Sequence, residues 1–291
     1  MEDARLPFRR IADLDGDLLE SPVWDDRRQV IFLCDIPAGR IHSVSLDGEC
    51  HSWALEVPFV ASLGLCESGQ LVVGLQRSVA LFDPATGDLR TLWDGFDEAP
   101  TSRLNDGKVG PDGAFWVGSM DGRKDSAPVS RLYRVTSDGR GEAMSDGFRS
   151  SNGLAWSADG RTLFHSDSMG PWIDAYDFDP ETGALSNRRR IRDLDQATGR
   201  PDGAATDLAG HYWSAGAFAG ILNRFTATGD LTGRFPLPCT APTMPCFCGD
   251  GLRQLAVTSR RDPSYPDLPG GGVFLAEAPA PGVPVTRMAG C

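Results

Sequence analysis

The sequence predicts an all-β chain: a six-bladed β-propeller built from four-stranded blades. Three observations predict it. A turn followed by alternating apolar residues recurs six times at blade-length intervals, an Asp-Pro-x-Thr-Gly turn is nearly duplicated, and no 3.6-residue apolar stripe competes. The 34 glycines and 21 prolines among 291 residues supply the turns that many short strands need.

The copies follow one another along the chain. The first two read Asp26-Arg27-Arg28-Gln29-Val30-Ile31-Phe32 and Ser68-Gly69-Gln70-Leu71-Val72-Val73-Gly74. Asp112-Gly113-Ala114-Phe115-Trp116-Val117-Gly118 and Asp159-Gly160-Arg161-Thr162-Leu163-Phe164 come next. Ala209-Gly210-His211-Tyr212-Trp213 and Asp250-Gly251-Leu252-Arg253-Gln254-Leu255-Ala256-Val257 complete the set. Further strands begin and end at the turns Asp83-Pro84-Ala85-Thr86-Gly87 and Asp179-Pro180-Glu181-Thr182-Gly183, where proline presets φ and glycine closes the turn. Length alone would suggest two domains at about 150 residues each, but a closed repeat makes residues 1–291 one domain. Closure predicts that residues 8–14 pair beside residues 272–276, since a ring cut at a blade boundary would leave an exposed edge.

Composition narrows the function. A net charge of −12 argues against a phosphate-backbone binder. No run approaches the roughly 20 apolar residues of a membrane span, and residues 1–5 lead into no secretory signal. The basic residues are nearly all arginine, with Lys108 and Lys124 the two lysines, the bias of a GC-rich bacterial gene. Seven scattered cysteines, Cys246 and Cys248 alternating among them, read as reduced thiols of a cytoplasmic protein. A monomer or small homo-oligomer is expected.

The segment before each hairpin should line the propeller axis. Its six positions, near Glu20, Ser62, Asn105, Asn152, Asp202 and Thr243, are spaced about 41 to 50 residues apart. Glu20, Asn105, Asn152 and Asp202 carry strong oxygen donors, and equal phase in the ring predicts equal height. Any one Asn-Gly or Asp-Gly is an ordinary turn dipeptide; four in one phase point to a site. Two carboxylates in a partly buried channel repel, and a divalent cation would offset that cost. Oxygen donors without Cys or His suit calcium or magnesium first, with zinc, manganese and ferrous iron also compatible. Arg103 and Lys108 flank Asn105, and the planar fork of Arg103 is a candidate clamp on a hydroxylated or anionic substrate. His165 falls on a second strand as a structural residue, and His42, His51 and His211 show no partner at ligand or triad spacing. No Gly-x-Ser-x-Gly elbow and no phosphate-cradling loop appears.

Over essentially its whole length the chain resembles the senescence-marker-protein/gluconolactonase family of regucalcin-like sugar lactonases. Leu19-Glu20-Ser21-Pro22-Val23-Trp24, Arg103-Leu104-Asn105-Asp106-Gly107-Lys108, Ser151-Asn152-Gly153-Leu154-Ala155-Trp156 and Pro201-Asp202-Gly203 carry the resemblance, with Gly118-Ser119-Met120 and Gly270-Gly271-Gly272-Val273-Phe274. It implies one divalent metal held by Glu20, Asn152 and Asp202, and substrate contacts from Arg103 and Asn105, with Lys108 beside them. Asp121, in Asp121-Gly122-Arg123, stands where family members often carry a substrate-contacting acid. The implied reaction is hydrolysis of a sugar lactone, a pentono- or hexonolactone, to the aldonic acid in bacterial sugar catabolism, with Asp202 as proton acceptor. A related propeller esterase or organophosphate hydrolase, or a non-catalytic metal-binding propeller, are the alternatives.

Overall fold

The computed structural model describes residues 6–123, 125 and 127–291. The N-terminal run read above as carrying no leader, residues 1–5, lies outside them. Within the repeat, the glycine of each turn has a physical reason. Gly113, Gly160 and Gly210 adopt φ of 75°, 69° and 87°, values that only glycine takes up without a Cβ clash. Each turn returns the chain antiparallel to itself, and the hairpins add up to four-stranded sheets.

Among the described residues, six such sheets form the propeller. Blades one to five each use four consecutive strands, over residues 19–54, 60–93, 102–148, 151–193 and 200–236. Blade six takes three strands from residues 242–277 and its outermost from Arg9–Asp13. That strand pairs antiparallel with Gly272–Glu277, Arg9 opposite Leu275 and Asp13 opposite Gly272, so the predicted closure is present.

Alternation along the strands puts apolar residues between neighbouring blades. Trp116 of blade three meets Trp156 and Phe178 of blade four edge-on, with centroids 6.2 and 5.5 Å apart. Trp213 fills the next but one interface against Phe235 and Phe247, fully buried, and donates its indole N–H to Asp207 at 2.8 Å. Truncating Trp213 to alanine would leave a large cavity at a cost of about 3–5 kcal/mol. Cys246 and Cys248 share a strand and an apolar cluster with Trp24 and Leu275.

The innermost strands set up the site. They are Leu19–Asp25, Val60–Leu65, Ser102–Val109, Ser151–Trp156, Arg200–Thr206 and Pro242–Cys248. Each breaks register with its neighbour near its start: between Glu20 and Val23, Val60 and Ser62, Leu104 and Gly107, Asn152 and Ala155, Pro201 and Ala204, and Pro242 and Pro245. In every case the inner strand carries one residue more than its partner. Such bulges bend a strand and re-aim a side chain, and here all six occur at one level of the ring.

Candidate metal and substrate site

The bulges determine which side chains reach the axis. Glu20 and Asn152 are the last paired residues before theirs, whereas Asn105 and Asp202 stand within theirs, one step later. Equal phase is therefore corrected by one residue: two of the four oxygen-bearing residues precede their bulge and two stand within it. Backbone geometry marks the same step, with Ser21 at φ 51° and Gly153 at φ 65° immediately after Glu20 and Asn152.

Glu20, Asn105 and Asn152 are buried, and Asp202 is half-buried. The Asn152 amide Nδ2 donates to Asp202 Oδ1 at 2.6 Å and to Ser168 Oγ at 3.0 Å. Ser168 in turn donates to the Pro201 carbonyl at 2.6 Å, which fixes blades four and five around the pair. The Asn152 oxygen accepts only the Gly153 N–H at 3.1 Å, and Glu20 accepts the N–H of Ser21 at 3.0 Å. Asn105 donates to the Ser151 carbonyl at 3.0 Å and accepts from Arg103, whose guanidinium also reaches the Leu104 carbonyl at 2.8 Å. Arg103 lies over the Phe59 ring at 5.6 Å.

Electrostatics bind these groups into one unit. Burial, then the charges of Asp202 and Asp106, hold the Glu20 carboxyl well above the usual carboxylate range. Burial pushes Asp202 up to about 7 against the stabilising Asn152 hydrogen bond, with Asp106 adding to the rise and Arg260 and Arg103 opposing it. Arg103 falls to about 10 because desolvation outweighs the attraction of Glu20 and Asp202. Carboxylates crowded this way favour a bound cation over two bare charges.

Sequence reasoning passed over Asp106. It is buried, and its charge acts on both Glu20 and Asp202; Oδ2 accepts the Leu154 N–H at 3.0 Å, and Oδ1 has no partner among the described residues. Burial raises its pKa, and Lys108 opposes the rise. Nothing in Asn105-Asp106-Gly107 distinguishes this acid from a turn residue. Arg260 was missed for a similar reason, since it lies outside every motif and acts on Asp202 only through the fold.

Two predicted substrate contacts sit apart from the rest. Lys108 donates to the Ala204 carbonyl at 2.7 Å and lines a cavity of about 360 Å³ farther down the channel, together with Pro22, Trp156, Cys246 and Val285. Asp121 ends the strand paired with that of Arg103, but its carboxylate is bound by the Arg123 guanidinium, with Nε at 2.9 Å, and is drawn down to about 2. His165 is on a second strand as expected, fully buried, with Nε2 2.7 Å from Ser151 Oγ. His211, which shows no partner at ligand or triad spacing in the sequence, contacts Asp207 at 3.1 Å.

The donor set fits a divalent cation. Glu20, Asp202 and the Asn152 side-chain carbonyl offer hard oxygen donors, and among the described residues the two carboxylates lack the ion-pair partners that satisfy other buried acids. Among the described residues no group of three or more His, Cys, Asp and Glu side chains is gathered as a metal cluster, so such a centre depends on amide oxygen as well.

A closed propeller with acids and amides converging at one mouth of its axis is the class these features define. The chain belongs to the SMP-30/gluconolactonase/LRE-like family, whose pattern matches residues 18–261. It is 36% identical over 280 residues to a 6-deoxy-6-sulfogluconolactonase from Pseudomonas putida, covering 93% of this chain and 94% of the relative. A pentonolactonase from Haloferax volcanii is 30% identical over 250 residues, covering 86% and 84%. The fold is shared with a calcium-binding regucalcin from Agrobacterium tumefaciens, with a TM-score of 0.89 at 24% identity over 98% of this chain and 97% of that one. Hydrolysis of sugar lactones is thus an activity of this chain's relatives.

Proposed function

We propose that this protein is a metal-dependent aldonolactonase that opens a pentono- or hexonolactone to its aldonic acid with water. The observation that carries the reading is the Glu20–Asn152–Asp202 group, in which Asn152 donates to Asp202 at 2.6 Å and the two acids repel each other in the absence of a cation. Glu20, Asn152 and Asp202 would hold the divalent cation: calcium, magnesium, manganese, zinc or ferrous iron. Bound there, the cation would act as a Lewis acid on the lactone carbonyl.

The chain's own residues supply the rest. Asp202 takes the proton of the attacking water on its carboxylate and returns it to the departing ring oxygen. Arg103 spends one nitrogen on Leu104 and Asn105 and keeps its other N–H donors for sugar hydroxyls. Asn105, pinned to the Ser151 carbonyl, fixes the fork of Arg103 and so the orientation of the ring. Asp121 takes part as the Asp121–Arg123 pair at the end of the Arg103 hairpin, and Lys108 as the cation beneath the acids. The seven scattered cysteines, an odd total with none in a disulfide, support a cytoplasmic location.

A pH-indicator assay across neutral and charged aldonolactones, with each metal in turn, tests the reading. Acid release that stops on chelation and returns with metal supports it. Metal binding without acid release would make the protein a binding propeller, and turnover of aryl or phosphate esters alone would make it a different hydrolase.

A further inference from the structure

Two arginines at the site's mouth have no assigned task. Arg260 is bridged to Leu18, the residue just before the strand that carries Glu20, yet its buried Nε has no hydrogen-bond partner among the described residues. Arg200 begins the strand that carries Asp202; its guanidinium is exposed, and among the described residues its side chain makes one weak hydrogen bond, to Met169 Sδ at 4.0 Å. Both guanidiniums face the same ring, Phe218, at 5.7 Å from Arg200 and 5.5 Å from Arg260. Phe218 is 54% exposed and stands at φ 65°, a left-handed conformation that is costly for an aromatic residue.

Neighbouring arginines show that the arrangement is not a default of the surface. Arg261, next along the chain, is paired with Asp15. Arg188 and Arg190 share Asp174. In a chain with a net charge of −12, acids are plentiful, but neither Arg200 nor Arg260 takes one within ion-pair distance among the described residues. Two like charges held against one exposed ring repel each other, and an anion contacting both guanidiniums offsets that cost. Phe218 also forms one wall of an open groove with Leu237, Thr240, Tyr265 and Leu268, so a group held at its ring has open space beside it. Asp262, the acid of that groove, is occupied by the Thr240 hydroxyl at 3.0 Å.

We propose that Arg200 and Arg260, spaced by Phe218, form an anion subsite that selects lactones bearing a sulfonate, carboxylate or phosphate remote from the reacting carbonyl. The inference rests on the lactonase reading and specifies its substrate class. Guanidinium forks match such tetrahedral or planar oxyanions, and Arg103 across the mouth remains free for hydroxyls.

The experiment compares kcat/KM of the wild type for glucono-1,5-lactone with that for its 6-phosphate, its 6-sulfonate and glucarolactone. The expected result is a preference of tenfold or more for at least one anionic lactone, weakening as ionic strength rises. Arg200→Gln, on the exposed rim, should cut the anionic-to-neutral ratio about tenfold, and Arg200→Lys should restore part of it. Arg260→Gln should cut the ratio further in the double variant, with thermal unfolding measured alongside to confirm folding. Which anion gains most identifies the substituent. Equal or better turnover of the neutral lactone by the wild type, or a ratio unmoved by Arg200→Gln, would overturn the subsite while leaving the lactonase reading intact. Failure to hydrolyse any lactone would instead remove the reading beneath it.

Discussion

The two ends of the axial channel carry similar acids in opposite circumstances. At the far end, Asp25 is fully buried between Arg28 and Arg287, each 2.8 Å away, and its pKa is lowered despite the burial. Asp112 receives Arg134 at 2.7 Å and the Trp116 indole at 3.0 Å, and Asp207 receives His211 and the Trp213 indole. At the near end Glu20 and Asp106 are buried and Asp202 is half-buried, none of them has an ion-pair partner among the described residues, and all three are pushed up. The difference teaches how to sort buried carboxylates: those supplied with cations and donors hold blades together, and those left short of them are kept for a ligand.

The largest expected effect sharpens this contrast. Asp202→Asn or Glu20→Gln should lower kcat by about a thousandfold or more, the scale of losing a group that acts in the transition state. In metal-free protein the same variants should be as stable as the wild type or more so, because a buried repulsion is removed; denaturant midpoints check this. At the far end the order reverses. Asp25→Asn should destabilise the fold by about 1–3 kcal/mol, since it leaves the nearly buried Arg287 with only the exposed Asp26 as an ion-pair partner, while kcat of the folded fraction stays unchanged. A stability loss at Asp202 equal to that at Asp25 would break the comparison.

Arg103→Lys comes next. It keeps the charge but loses the planar fork, so KM should rise about thirtyfold with a smaller change in kcat, as steady-state kinetics would show. The smallest effect concerns His165, held down to about 3 by burial and then by the Arg188 charge. Unfolded, the ring titrates near 6.5, so between those values the unfolded chain binds the extra proton. Stability present above pH 6.5 is lost as pH falls, by about 2 kcal/mol at pH 5. His165→Gln should flatten that part of the pH–stability curve; an unchanged slope would show that carboxylates alone produce it.

The repeat made the architecture legible. Turn glycines and alternating strands are local signals, and even the closure of residues 8–14 on the last blade followed from the need to cover an edge. Glu20, Asn105, Asn152 and Asp202 were legible because they recur at blade spacing. Their offset was not, because a bulge is a relation between two strands that one strand's residues do not display. Lys108 shows the same limit: three residues past Asn105 and beyond the bulge, it turns down the channel to Ala204. Asp121 could not be separated from Arg123 two residues on, whose ion pair occupies it. Arg260 belongs to a different blade from Asp202, and only folding brings the two together.

Isothermal titration of chelator-stripped protein with each divalent cation tests the central assignment most directly. The account predicts one site per chain in the wild type and its loss in both Glu20→Gln and Asp202→Asn, with Asp25→Asn binding as the wild type does. Absence of binding in the wild type, or undiminished binding after either near-end substitution, would contradict it.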